Sequence, residues 1–215
     1  MELREVMRGT GSQRVFTPEP VPDSEVTAIL DDARFAPSGG NRQPWRVAVV
    51  KDGALRRQLA DLMQEIWDEY CGAVAVGATP FAFGRSIDAP PVPTPNPLLA
   101  GIENVPVVLA VAADLRHVAI MDGILDRPPI VGGASVYPFC WNVVLAARDR
   151  GLGGVLTTFL SRAEPRAAPL LGLPDGHALA ATIFLGYVEH HPTKLRRRPV
   201  EAFTTIDRFD GPSLG

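Results

Sequence analysis

The residues with the clearest chemical potential lie between Ala36 and Trp45, in the run Ala-Pro-Ser-Gly-Gly-Asn-Arg-Gln-Pro-Trp. Pro37 and the Gly39-Gly40 pair permit a tight backbone path that can approach a ligand closely. Ser38, Asn41 and Gln43 add neutral donors and acceptors. Such groups suit a ligand that itself mixes the two, as the pyrimidine edge of a fused heterocycle does. The same spacing also describes a helix-to-strand loop capped by Asn41, with Trp45 packing inward.

Cations supply a second constellation. Arg14 precedes Phe16 near one end of the sequence, and Lys194, Arg196, Arg197 and Arg198 cluster near the other. Arginines far apart in sequence can converge on one phosphate through charge-assisted, bidentate bonds; the basic run also reads as a solvated arm. Gly151 to Thr158 could present backbone N–H groups to the edge of a planar ring, or simply end a helix and enter a loop. His190-His191 has no companion ligand cluster, so no metal site is expected. His117 and His177 are isolated, and no G-x-S-x-G motif occurs. Cys71 and Cys140 sit among aliphatic and aromatic neighbours and read as buried free thiols. With no acid/base pair or nucleophile in evidence, the hard chemistry would fall to a cofactor, and the protein would supply position and electrostatics.

The elements that must position these groups follow from periodicity. A chain of 215 residues, 46% hydrophobic, suits one sizeable domain over residues 1–215. A net charge of −3 gives no nucleic-acid footprint. A charged start and the lack of an ~18-residue apolar run predict a soluble, cytoplasmic protein with no membrane partner. Pro22-Asp23 predicts a helix start, with Val26, Ile29, Leu30 and Ala33 on one face and Pro37 ending it. Arg46–Val50 predicts a buried strand. Leu55, Leu59, Leu62, Met63, Ile66, Trp67 and Tyr70 keep helical spacing and read as core or interface packing. The prolines from Ala89 to Pro97 predict a semi-extended loop. Val107–Ala112 and Thr182–Val188 predict two further strands. Between them, Val136–Arg150 predicts a helix with little polar face, stopped by Gly151. Strands separated by helices suggest a parallel sheet, but no Gly-rich turn follows the first strand. The pattern therefore gives α and β, one domain and a large core.

Taken together these segments resemble the nitroreductase superfamily over nearly the whole chain. The resemblance rests on Arg14-x-Phe16 with Pro20–Asp23, on Ala36–Trp45 and the strand after it, and on Asn142–Ala147 followed by Gly151-Leu152-Gly153. Leu185-Gly186-Tyr187 and the basic run before Pro199 complete it. It implies an α+β, nitroreductase-like fold with a central, mostly antiparallel sheet flanked by helices. It also implies an intertwined homodimer with two FMN sites at the subunit interface.

By carry-over, Arg14 and Arg197 would hold the phosphate or ribityl end, with Lys194 and Arg196 beside them and Ser12 a further contact. Pro37, Ser38, Gly39, Asn41 and Gln43 would meet the flavin from the partner subunit. Thr157 and Thr158 would present N–H groups near the flavin N5, and Ser135 would add a polar contact. The implied activity is ping-pong transfer from NAD(P)H through FMN to a nitroaromatic, quinone or similar electron-poor molecule. Flavin-fragmenting, dehalogenating or biosynthetic chemistry, and non-enzymatic flavin storage or sensing, are the alternatives. No catalytic side chain is expected beyond the cofactor. Residues 79–104, with Phe81 and Phe83, would form a substrate lid or a plain surface loop, and residues 190–215 a C-terminal arm. Two departures stand out. Thr10-Gly11-Ser12-Gln13-Arg14 lacks the first Arg of the family's Arg-x-Ser-x-Arg, leaving Arg8 or the tail to compensate. Trp141 stands where a Gln is common.

Overall fold

Val107–Asp114 is buried at every position along its length, so both of its faces must be covered. In the computed structural model, which describes residues 1–82 and 88–214, this strand lies inside a four-stranded sheet. The strands are β1 (Trp45–Val49), β2 (Val107–Asp114), β3 (Leu152–Thr157) and β4 (His177–Tyr187), in the order β1-β2-β4-β3. Every neighbouring pair is antiparallel, which settles the alternation of strands and helices against a parallel sheet.

Strand periodicity divides the core in two. Val107, Leu109 and Val111, with Ile183 and Leu185, pack against α2 (Asp23–Ala33) and α5 (Tyr137–Asp149). Val108, Ala110 and Phe184 face the other way. They pack against α3 (Gly53–Ala75), α4 (Pro97–Ala100), α6 (Phe159–Arg162) and α7 (Glu164–Leu171). A register shift opposite Val111 and Ala112 turns both Ala180 and Ala181 toward the first core. A short helix, α1 (Leu3–Gly9), lies against α5.

Several expectations need correction. The segment after Gly151, read as a loop, is the edge strand β3. Its glycines lower strand propensity in the sequence, yet the packing requires them. A Cβ on Gly153 would lie 2.5 Å from Val188 Cγ1, and one on Gly154 2.6 Å from Leu185 Cδ2. Asp23 does not cap α2. Pro22 holds the N-cap position, and the Asp23 carboxylate instead receives Lys51 Nζ at 2.7 Å. The helix ends at Ala33, ahead of the proline expected to stop it. The proline-rich segment is extended only as far as Asn96, because Pro97 occupies the first turn of α4, where its missing N–H is harmless. Helices α1, α6 and α7 were not anticipated. Phe83 of the proposed lid lies outside the described residues.

Among the described residues, no helix is long and apolar enough to cross a membrane. No group of three or more metal-ligating side chains occurs among them either.

Candidate active site

The N-terminal segment runs beside β3. Ser12 pairs with Gly154 in a parallel bridge, the Gln13 N–H donates to Gly154 O at 2.9 Å, and the Thr17 N–H donates to Tyr187 O at 2.8 Å. Arg14 is thereby carried to the mouth of a cavity of about 450 Å³. The floor is the end of β3 and its continuation, Leu156 to Phe159, with Phe184 beneath. Trp67 of α3 and the stretch Pro95–Leu99 form the walls. Arg14, Thr157 and Thr158, three of the residues singled out in the sequence, are thus brought together around one cavity.

The wall is built by unusual attachments between α3 and the prolines. Gln64 and Asp68, one turn apart, hold Thr94. Asp68 Oδ1 accepts the Thr94 N–H at 2.9 Å, and Gln64 Nε2 donates to Thr94 O at 2.9 Å and to Asp68 Oδ1 at 2.8 Å. One further turn along, Gly72 lets Pro90 in so closely that a Cβ there would sit 2.2 Å from Pro90 O. Arg56, nearly buried, secures the segment after α4. Its Nε donates to Val50 O at 2.8 Å and its Nη1 to Val105 O at 2.7 Å. Burial draws its pKa below the ordinary arginine value, and the bonds to carbonyls keep the guanidinium satisfied.

Several polar atoms around the cavity have no partner among the described residues. Arg14 makes no ion pair or hydrogen bond among the described residues. Trp67 Nε1 and Thr157 Oγ1 are buried without a hydrogen-bond partner among the described residues. The Thr158 N–H, between β3 and α6, finds no acceptor among the described residues.

The Ala36–Trp45 segment lies elsewhere. None of Pro37, Ser38, Gly39, Asn41, Gln43 or Ser135 lines the cavity. Here the polar groups serve one another. Ser38 Oγ accepts the Gln43 N–H at 2.9 Å, and Ser135 Oγ accepts the Gly39 N–H at 3.1 Å. Asn41 Oδ1 accepts from Gln43 Nε2 at 3.2 Å and caps no helix. Asn41 and Gln43 both hold positive φ, 52° and 48°, a conformation that non-glycine residues adopt at a cost of about 1–3 kcal/mol each. Trp45 does pack inward, stacked on Phe139 of α5 at 4.8 Å and 4°. At its far end the Asp114 N–H donates to Pro44 O.

The basic run comes alongside the N-terminal segment without entering the cavity. Gln13 Nε2 donates to His190 O at 3.3 Å, and the Cα of Gly11 faces Leu195 and Pro192. Lys194, Arg196 and Arg197 are exposed, and Arg197 Nη1 donates to Arg196 O. Arg8, on α1, does not line the cavity, and Trp141 is half exposed on the outer face of α5. Among the polar cavity residues not singled out in the sequence are Trp67, indistinguishable in spacing from its core neighbours, and Asn96, which lies among the prolines of the 79–104 segment.

Burial pushes the Cys140 thiol up to about 12, which removes it from nucleophilic chemistry.

The fold recurs in NADPH:FMN oxidoreductase of Vibrio harveyi complexed with NAD+. The TM-score is 0.69 at 20% identity, over 96% of this chain and 77% of that one. In sequence, the chain is 27% identical to an NADH dehydrogenase of Thermus thermophilus, over 88% of each. It is 31% identical to a 5,6-dimethylbenzimidazole synthase of Rhodospirillum rubrum, over 83% of this chain and 79% of the relative. The model of the nitroreductase family matches residues 7–187, and the chain is an oxidoreductase belonging to that family.

Proposed function

We propose that this protein is an FMN-dependent reductase that takes electrons from NAD(P)H and passes them, in a ping-pong sequence, to a nitroaromatic, quinone or similar electron-poor molecule. The observation that carries the reading is the cavity itself. It is apolar on most sides, and its few polar groups, Arg14, Trp67 Nε1, Thr157 Oγ1 and the Thr158 N–H, lack protein partners among the described residues. That set fits a flat ring system with acceptor atoms on its edge and an anionic tail. When bound, FMN would supply a two-electron acceptor and donor at its ring N5.

The chain's own residues would bind and orient. Arg14 would meet the phosphate or ribityl end, and Lys194, Arg196 and Arg197 would add positive charge from the neighbouring tail, with Ser12 between them. The backbone at Thr157 and Thr158 would donate to the ring edge, stabilising negative charge there without reorganising. Pro37, Ser38, Gly39, Asn41, Gln43 and Ser135 would complete the site from the partner subunit of a homodimer. Their separation from the cavity within one chain supports that arrangement. The proposal sets the protein in the cytoplasm, beside its reductant.

The test uses purified protein under anaerobic conditions. A yellow protein bleached by NADH or NADPH, and re-coloured by a nitroaromatic or quinone, is the expected result. Colourless protein that FMN neither binds nor stabilises overturns the reading. The similarity to a 5,6-dimethylbenzimidazole synthase favours a second reading, a flavin-fragmenting or other biosynthetic branch. That branch would show little NAD(P)H oxidation unless a separate flavin reductase were added.

A further inference from the structure

Trp67 keeps the spacing of the buried stripe on α3, but its surroundings differ from those of its neighbours. Its ring is held on two sides, stacked on Tyr70 at 5.5 Å and 8° and set edge-on to Phe159 at 5.9 Å and 65°. The ring stands in the cavity wall, and its N–H is buried with no acceptor among the described residues. Buried indole N–H groups in native proteins almost always find a partner, and an orphan points to a water or ligand that completes it. The wall cannot easily move to supply one. Gln64, Asp68 and Gly72 fasten the proline segment to the same helix, so the donor is held in place before anything binds. Thr157 Oγ1, a second orphan, belongs to the same cavity.

We infer that the Trp67 indole N–H is a ligand-binding donor. It would take an oxygen acceptor on a planar, electron-poor ring seated in this cavity, with the Thr157 hydroxyl as a second contact. The inference rests on the functional reading above and deepens it. Two molecules in that reading carry this chemistry: the flavin, through its ring carbonyls, and the oxidising substrate, through nitro or quinone oxygens. A fixed N–H at such an oxygen stabilises the more negative, reduced form in preference to the oxidised one. The aromatic and aliphatic walls meanwhile select flat ligands.

The experiment uses the full-length protein with ¹⁵N-labelled indoles. Three tryptophans, Trp45, Trp67 and Trp141, give three indole N–H resonances. The Trp67 signal is the one missing from Trp67→Phe, or the one left after assignment by Trp45→Phe and Trp141→Phe. FMN is titrated first, followed by menadione or 4-nitrobenzoate on the loaded protein. If the flavin is the partner, the Trp67 resonance moves downfield with FMN, and Trp67→Phe raises the FMN Kd about tenfold, as loss of one buried hydrogen bond does. If the substrate is the partner, the resonance moves only with the second compound. Trp67→Phe then raises that compound's KM about tenfold and leaves the FMN Kd unchanged.

Should Trp67→Phe fail to fold, Thr157→Val and the wild-type resonance carry the same two tests. A Trp67 resonance indifferent to both ligands, with both constants unchanged in whichever variant folds, overturns the inference. Wild-type protein that binds no FMN overturns the functional reading instead. Intact flavin reduction with a silent Trp67 removes only this inference.

Discussion

The Ala36–Trp45 segment and the largely apolar cavity between β3 and α3 both carry polar groups, but they use them in opposite ways. In the first, Ser38, Asn41 and Gln43 bond to one another, and Ser135 closes over Gly39. In the second, Trp67 Nε1 and Thr157 Oγ1 stand without partners among the described residues, and the exposed Arg14 makes no ion pair or hydrogen bond among them. A self-satisfied loop keeps its shape whether or not a ligand is present, so its strained φ values at Asn41 and Gln43 are maintained in advance. Orphaned groups gain only when something binds. The segment therefore reads as a rigid edge to be presented, and the cavity as the place that receives. A two-chain site in which one protomer's edge closes the other's cavity would use both properties.

The comparison breaks most sharply at Arg56, because the receiving wall depends on it. Replacing it by Leu removes two short bonds to Val50 O and Val105 O and leaves those carbonyls buried. The expected loss is about 3 kcal/mol of stability, read as a lower urea midpoint at unchanged slope. FMN affinity should fall with it, since Asn96–Leu99 lead into the short segment that ends at Val105, whose carbonyl Arg56 holds. Stability lost with FMN affinity intact would mean that the wall needs no such fastening.

Arg14→Ala tests the receiving side without disturbing the fold. The side chain is exposed and unpaired among the described residues, so stability should change by no more than about 0.5 kcal/mol. FMN binding should weaken by about 1.5–3 kcal/mol, measured by fluorescence titration. The opposite result, a destabilised protein that binds FMN normally, would make Arg14 structural and erase the contrast.

Much of the receiving architecture was legible before any coordinates, for a physical reason. The buried strands β2 and β4 advertise themselves as continuous apolar runs, and the helices α3 and α5 through apolar residues at helical spacing, both enforced by burial. The fourth strand escaped because Gly153 and Gly154 are required by tight packing against Val188 and Leu185, a demand made by residues over thirty positions away. Strand direction could not be had from the residue pattern, since whether a sheet is parallel is decided by long-range pairing; the mostly antiparallel sheet that the family resemblance implied is the one observed. Arg14, Thr157 and Thr158 could be singled out as chemical groups without knowing that one cavity joins them. Trp67 could not. Its place in the helical stripe is the same as that of Met63 or Ile66, and what separates it from them, a ring in the cavity wall whose N–H has no acceptor among the described residues, is a tertiary feature. The presenting edge was visible as a cluster, but its closure by Ser135 spans 96 residues and leaves no local trace.

Ser135→Ala examines that closure. It removes the acceptor for the Gly39 N–H in a partly buried setting, at an expected cost of about 1 kcal/mol in stability. If the loop is as self-contained as its other bonds imply, the positive φ at Asn41 and Gln43 should survive, and backbone chemical shifts there would report it. Collapse of those shifts in Ser135→Ala would show that the edge depends on one distant hydroxyl.

The smallest effect is expected at the far end of the same edge, where Asp114 ends β2 and its N–H meets Pro44 O. The Asp114 carboxylate accepts from Arg116 at 2.7 and 2.8 Å and pairs with His117 at 3.0 Å. These partners, Arg116 first, hold its pKa well below the usual carboxylate range. A depressed folded-state value contributes stability above the unfolded carboxyl's pKa of about 4, and that contribution fades as pH falls below it. Arg116 is largely solvent-exposed, so screening keeps the contribution small. Urea midpoints followed from pH 7 to pH 2 should therefore show wild type and Asp114→Asn separated by a constant gap down to about pH 4, then converging. A gap that persists unchanged to pH 2 would assign the Asp114 effect to packing rather than charge, and the edge would then be fixed by shape alone.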